Sequence, residues 1–229
     1  MRLILFDIDG TLMASSGVGM RALGRAMGEV TGIDLSLLDV LPDGKTDPAI
    51  VREAFELGGL APESWPEAER KLFALYPDYL AEELAGPDAR VRLMPGVVEL
   101  LDHLAGHREF HLGLLTGNLE STARLKLHRV GLSHYFPIGG FGSDCHQREN
   151  LGRFALERAR AHYGVDYPLE RVWLVGDTDR DVQAARALSA RVLAVATGRY
   201  TRAQLEEHLP DACLENLGAL DEVLQVLAG

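Results

Sequence analysis

The chain has 229 residues, 47% of them apolar, with a formal net charge of -11 at pH 7. That is enough to bury one large core or two smaller ones, while the acidic balance argues against a broad basic surface for nucleic acid or anionic lipid. No stretch approaches the ~20 uncharged apolar residues that span a bilayer, and the N-terminus lacks the basic and long apolar segments of a secretion signal, so a soluble, cytoplasmic protein is the expectation.

In chain order, RLILF (2–6) reads as a buried strand, and the residues after it place Asp7 and Asp9 one position apart. Residues 14–91 then offer only helical signals. Met20, Leu23, Met27 and Val30 recur at helical spacing. Asp47 with Pro48, and Ser64 with Pro66, are expected to open two further helices, and Pro77 to kink or divide the helical stretch 66–85. Hinges are expected at 15–17 and 94–96. Beyond them, helix 97–105, strand 110–115, helix 119–130, a weaker strand at 136–140, helix 150–163, strand 171–175, helix 179–189, strand 191–195, a weaker strand at 212–214 and helix 218–228 follow in turn. Such alternation is the pattern of a parallel sheet with crossover helices, here with a helical insertion after its first strand.

In open parallel sheets, ligands bind beyond the carboxyl ends of the strands. Three of those ends are polar: Asp7 to Thr11, Thr116 to Asn118, and Gly176 to Asp181. Between them FGSDCHQREN carries Arg148 just ahead of a helix. This set suits cleavage of a phosphate monoester, which needs an aligned nucleophile, an offset for phosphoryl charge and a proton for the leaving oxygen. Asp7 is the expected nucleophile, forming an aspartyl phosphate, and Asp9 the group that protonates the leaving oxygen and later activates water. Several carboxylates and a phosphate need a counter-charge, and Mg2+ is the hard cation such oxygens select. Asp7, Asp177 and the backbone carbonyl of Asp9 are its expected ligands. Asp181 is placed to orient a bound water, to support Arg180 or to cap the helix near 179. The Thr116 hydroxyl, the Gly117 and Asn118 amides and turn amides near Gly10 are the expected donors to phosphate oxygens.

DIDGT, LLTGN and VGDTDRD stand in the order and spacing of the first, second and fourth motifs of the haloacid dehalogenase superfamily of phosphohydrolases, which the chain resembles over essentially its whole length. The resemblance implies an α/β, Rossmann-like core of residues 1–13 and 92–229 with an inserted α-helical cap domain of residues 14–91. It also implies a lysine for the third motif. No lysine follows Lys126, which lies within the helix after Thr116. Arg148 is the expected replacement, bridging Asp7 and phosphate with a different reach and geometry. GKTDPAI (44–50) resembles a cap stretch of phosphoglycolate phosphatases, with Lys45 projecting toward a substrate carboxylate.

The expected activity is that of a Mg2+-dependent phosphatase acting on a small phosphorylated metabolite, with 2-phosphoglycolate a candidate. A phosphomutase of the beta-phosphoglucomutase type would use the same aspartates, and a noncatalytic binding protein would gain little from Asp9. Relatives that act on haloacids lack that second aspartate. His103, His107 and His111 are spaced i, i+4, i+8, but Gly106 interrupts the helix, so no zinc site is expected there. Cys145 and Cys213, the only cysteines, are too far apart for a Cys-x-x-Cys motif and read as plain thiols.

Overall fold

The computed structural model describes residues 1–229. The first elements are β1 (Arg2–Phe6), β2 (Met13–Ala14), α1 (Val18–Thr31), α2 (Asp47–Leu57), α3 (Trp65–Ala85) and β3 (Arg92–Leu93). Next come α4 (Val97–Gly106), β4 (Phe110–Thr116), α5 (Glu120–Arg129), β5 (Gly139–Phe141) and α6 (Leu151–Tyr163). The chain closes with β6 (Val172–Gly176), α7 (Asp179–Leu188), β7 (Arg191–Val195), α8 (Arg202–Glu206), β8 (Ala212–Leu214) and α9 (Leu220–Ala228). The fold is α/β and Rossmann-like: six strands form one sheet in the order β5-β4-β1-β6-β7-β8, and every pairing in it is parallel.

Period-two alternation explains why β1 lies at the centre. Ile4 and Phe6 point into an apolar cluster with residues of α4, α5 and α9, while Leu3 and Leu5 point into the opposite one, with residues of α6 and α7. Full burial of each such side chain contributes roughly 1.5–3 kcal/mol, whereas an unpaired carboxylate in the same place would cost more than that. After Arg2 at its half-buried start the strand therefore stays apolar to its last residue, and the next charge, Asp7, comes where the sheet opens. The chain runs outward from β1 to β4 and β5, then returns to β6 on the other side of β1. The crevice between β1 and β6, from which the chain leaves in opposite directions, is thus the switch point of the sheet.

Residues of α1, α2 and α3 share a separate apolar cluster that includes Val18, Leu23, Met27, Phe55, Leu72 and Tyr76. Leu119, from the loop ahead of α5, joins it. At the two ends of this segment β2 and β3 pair antiparallel, Met13 opposite Leu93 and Ala14 opposite Arg92. Each of the two strands lies immediately ahead of one of the expected hinges.

Four local expectations need correction. Pro77 does not divide the stretch: α3 runs through it as one helix, with Leu72, Tyr76, Leu80 and Leu84 buried on both sides of the missing hydrogen bond. Thr46, not Asp47, caps α2, its hydroxyl accepting from the Ala49 amide at 3.2 Å. Ser64 sits at the N-cap of α3 without a side-chain bond. The weak strand expected at 136–140 begins only at Gly139, and the short helix α8 had no periodic signal. No helix is long and apolar enough to cross a membrane.

Candidate active site

Asp7 continues the line of β1, its amide still bonded to the Val175 carbonyl at 2.9 Å, so the sheet fixes its direction. Asp177 follows β6 next door, and Asp181 lies in the first turn of α7. One carboxylate oxygen from each of the three lies within 4.8 Å of the others, and all three residues are buried. Burial raises the Asp7 carboxyl to about 6, opposed by Arg148 and reinforced by Asp181 and Asp9. Burial, then the charges of Asp181 and Asp7, push Asp177 well above the usual carboxylate range. The cluster is therefore short of positive charge, and its all-oxygen donor set fits a hard divalent cation.

Arg148 supplies part of that charge from the 3-10 turn before α6. Its Nη2 lies 3.2 Å from Asp7 Oδ1 and donates to Asp181 Oδ1. Burial alone would lower its pKa, but the two aspartates outweigh burial and raise it. Its Nε is the one buried side-chain polar atom without a partner. Asp181 Oδ2 accepts from the Thr178 amide and hydroxyl at 3.1 and 2.8 Å, closing a capping box at the start of α7. Both Asp181 oxygens are thus occupied, and Arg180 is not its partner.

Asp9 is more exposed and meets a different cation. Lys126 Nζ lies 2.6 Å from Asp9 Oδ2 and 2.6 Å from Asn118 Oδ1. Sequence reasoning left Lys126 without a role because it lies well inside a helix. The available signal was its position on α5: Thr122, Ala123, Lys126 and Leu127 form the buried face, where a lysine must find a partner. Asp47 was read only as a helix opener, yet its amide donates to the Gly117 carbonyl at 2.7 Å and its Oδ2 accepts from the Leu119 amide at 2.9 Å. Burial raises the Asp47 carboxyl to about 6 against the pull of Lys126.

The remaining expected residues lie close by. Thr116 Oγ1 is buried and accepts from Asn118 Nδ2 at 2.8 Å. Gly10 has φ +85°, and a Cβ there would stand 2.2 Å from Asp177 Oδ2, so only glycine lets this turn pass the carboxylate. Its amide is taken by the Met13 carbonyl at 2.9 Å. A Cβ on Gly117 would meet the Lys45 carbonyl at 2.1 Å. Asp7, Asp9, Gly10, Lys45, Thr116, Gly117, Asn118, Arg148 and Asp177 all border one cavity of about 330 Å³, which Asp181 does not line. Five basic residues line it: Lys45 is paired with Glu53, Lys126 with Asp9, Arg148 with Asp7 and Asp181, and Arg199 with Asp43. Arg92, on β3, has only a 3.4 Å contact with the Met94 sulfur.

Residues 4–186 match the family model of haloacid dehalogenase-like hydrolases. A phosphoglycolate phosphatase from Synechococcus elongatus is 30% identical over 220 residues, covering 94% of this chain and 93% of that protein. Another, from Rhodospirillum rubrum, is 30% identical over 206 residues, covering 87% and 80%. In fold, the chain is similar to the crystal structure of a predicted phosphatase from Clostridium acetobutylicum, with a TM-score of 0.73 at 18% identity and 98% of each chain covered. With the family match spanning most of the sheet and every strand-end motif, the chain belongs to the haloacid dehalogenase-like hydrolases.

Proposed function

We propose that this hydrolase is a Mg2+-dependent phosphatase of a small phosphorylated metabolite that carries a second anionic group, 2-phosphoglycolate being the leading candidate. The observation that carries the reading is the buried convergence of Asp7, Asp177, Asp181 and Arg148 at the carboxyl edge of the sheet. Asp7 and Asp177 would hold the cation with the Asp9 carbonyl, while Asp181, its oxygens already engaged, orients Arg148 and a bound water. When bound, Mg2+ supplies charge neutralisation for the carboxylates and the phosphoryl oxygens.

Asp7 attacks phosphorus, the ester oxygen leaves with the proton of Asp9, and an aspartyl phosphate forms. Asp9, now a carboxylate, takes a proton from water as that water attacks the phosphorus, and inorganic phosphate leaves with Asp7 regenerated. Arg148 draws Asp7 and the phosphate together, its unpartnered Nε offering a donor to a phosphate oxygen, and Thr116 with Gly117 and Asn118 flanks the same oxygens. Residues 14–91 act as a cap whose own apolar cluster lets it move as a unit while the segment around Lys45 closes the cavity and excludes water.

The leaving group faces the cap, and at the boundary where the chain returns to the core Arg92 has no carboxylate partner. It is the natural receptor for a substrate carboxylate, with Lys45, held by Glu53, lining the same cavity. A panel of phosphorylated metabolites assayed for phosphate release tests the assignment. Release should require Mg2+ and fall by about 10³-fold or more in Asp7→Asn, and an asparagine variant as active as wild type would refute the nucleophile. Arg92→Ala should raise KM about two- to fivefold for 2-phosphoglycolate, roughly the loss of one exposed charge contact, and leave KM for phenyl phosphate unchanged.

A further inference from the structure

The geometry points to Lys126 as a positioning residue for Asp9, with Asp47 as its counter-charge across the boundary to the inserted helices; the inference rests on the acid/base role of Asp9 proposed above. Lys126 is 4% exposed. An ammonium buried to that degree is costly unless paired and hydrogen-bonded, and both of its short contacts, Asp9 Oδ2 and Asn118 Oδ1, are to residues of the site. Asn118 Nδ2 donates to the same Asp9 oxygen at 2.8 Å and to Thr116 Oγ1 at 2.8 Å. Lys126 and Asn118 therefore grip Asp9 Oδ2 from two directions and set the plane of its carboxyl group. Oδ1 is left as the oxygen that meets the leaving group.

Two other roles fit the geometry less well. A cation serving to neutralise phosphate would lie beside Asp7, where Arg148 already stands. A cation serving to fasten the inserted helices would bond to Asp47, whose carboxylate instead accepts from Leu119 and Thr122 of the core. Asp9 is 42% exposed at its side chain, so solvent weakens its pull on the buried ammonium. Asp47, 7% exposed, is the buried carboxylate whose charge Lys126 favours. Gly19 of α1 faces the same ammonium, a Cβ there standing at ordinary contact distance, 3.5 Å, from both Lys126 Nζ and the Tyr76 hydroxyl. The orientation of Asp9 is thereby tied to residues on both sides of the cavity.

The test is kcat/KM of the Mg2+-loaded protein for two esters. 2-Phosphoglycolate expels a poor alkoxide leaving group, and p-nitrophenyl phosphate a phenolate that departs with little help. Lys126→Met should lower kcat/KM roughly 10- to 100-fold for the first and less than about threefold for the second, because only the first depends strongly on a well-aimed acid. In an Asp9→Asn background the same change should cost less than about twofold, since its partner is already disabled. Asp47→Asn/Lys126→Met, which removes the stranded carboxylate as well, should keep the single variant's selectivity and a wild-type melting profile. Equal losses on the two esters, or a full additional loss in the Asp9→Asn background, would make Lys126 merely structural and overturn the inference. If Asp9→Asn is impaired but Lys126→Met is not, the inference alone fails; if Asp9→Asn matches wild type on both esters, the acid/base role falls and takes the inference with it.

Discussion

Arg148 is 5% exposed, and one of its nitrogens has nothing to bond. An orphaned buried donor costs roughly 1–3 kcal/mol, which is tolerable where an anion completes the set. Arg148→Lys keeps the charge but cannot contact Asp7 and Asp181 while offering another donor. It should lower kcat/KM about 10²-fold, with the loss in kcat rather than KM. Asp47 carries a pH signature. Its carboxyl shifts from 3.8 to about 6 on folding, so the folded chain holds this proton more tightly than the unfolded chain. Its contribution to stability is greatest below about pH 4 and is lost as pH rises through about 6. Asp47→Asn should therefore flatten that pH dependence, its stability falling about 1–3 kcal/mol less than that of wild type between pH 4 and pH 8, as urea titrations at the two values would show. The carboxylates of the site were legible in the sequence because each follows an apolar strand directly, which fixes its place at the sheet edge. Lys126 was not, because its role depends on which face of α5 is buried and on which loop crosses above it.

At the scale of elements, the segment ahead of α2 is fastened to the core at several points. Asp47 bonds to the β4 loop, the Thr46 hydroxyl donates to the His146 carbonyl at 2.6 Å, and Arg199 pairs with Asp43 at 2.7 Å. The Lys45 carbonyl rests where a Gly117 side chain would be. Gly117→Ala should unseat this segment, seen as faster proteolysis at 41–45 and a higher KM, with the sheet intact. In α3, Pro77→Ala restores a hydrogen-bond donor in the helix interior and should stabilise by about 1–3 kcal/mol in thermal unfolding. The long helices and core strands were readable to within a few residues because periodicity accumulates over their length. The β2–β3 pair was not, since two-residue strands contain no period, and the continuity of α3 through Pro77 depends on packing that no local propensity encodes.

At the scale of the whole molecule, this phosphoric monoester hydrolase gathers its titration behaviour in one place. Asp7, Asp47 and Asp177 are all raised, burial being the largest cause in each. Without metal, stability should decline as pH climbs through about 6. A divalent cation that binds the ionised cluster offsets that decline, by about 2.7 kcal/mol at a hundred times its Kd. Mg2+ should then raise Tm at pH 8 by roughly 5–10 °C for a chain of this size and by clearly less at pH 5, measured by calorimetry. The antiparallel pair Met13–Ala14 and Arg92–Leu93 has a further consequence. The chain departs from the sheet and comes back to it through adjacent, hydrogen-bonded positions, so everything between those points could be exchanged for an unrelated segment without rethreading a single core strand. A grafting experiment at residues 14 and 92 would turn that ribbon into a socket, in which one set of strand-end aspartates is offered to successive inserted segments.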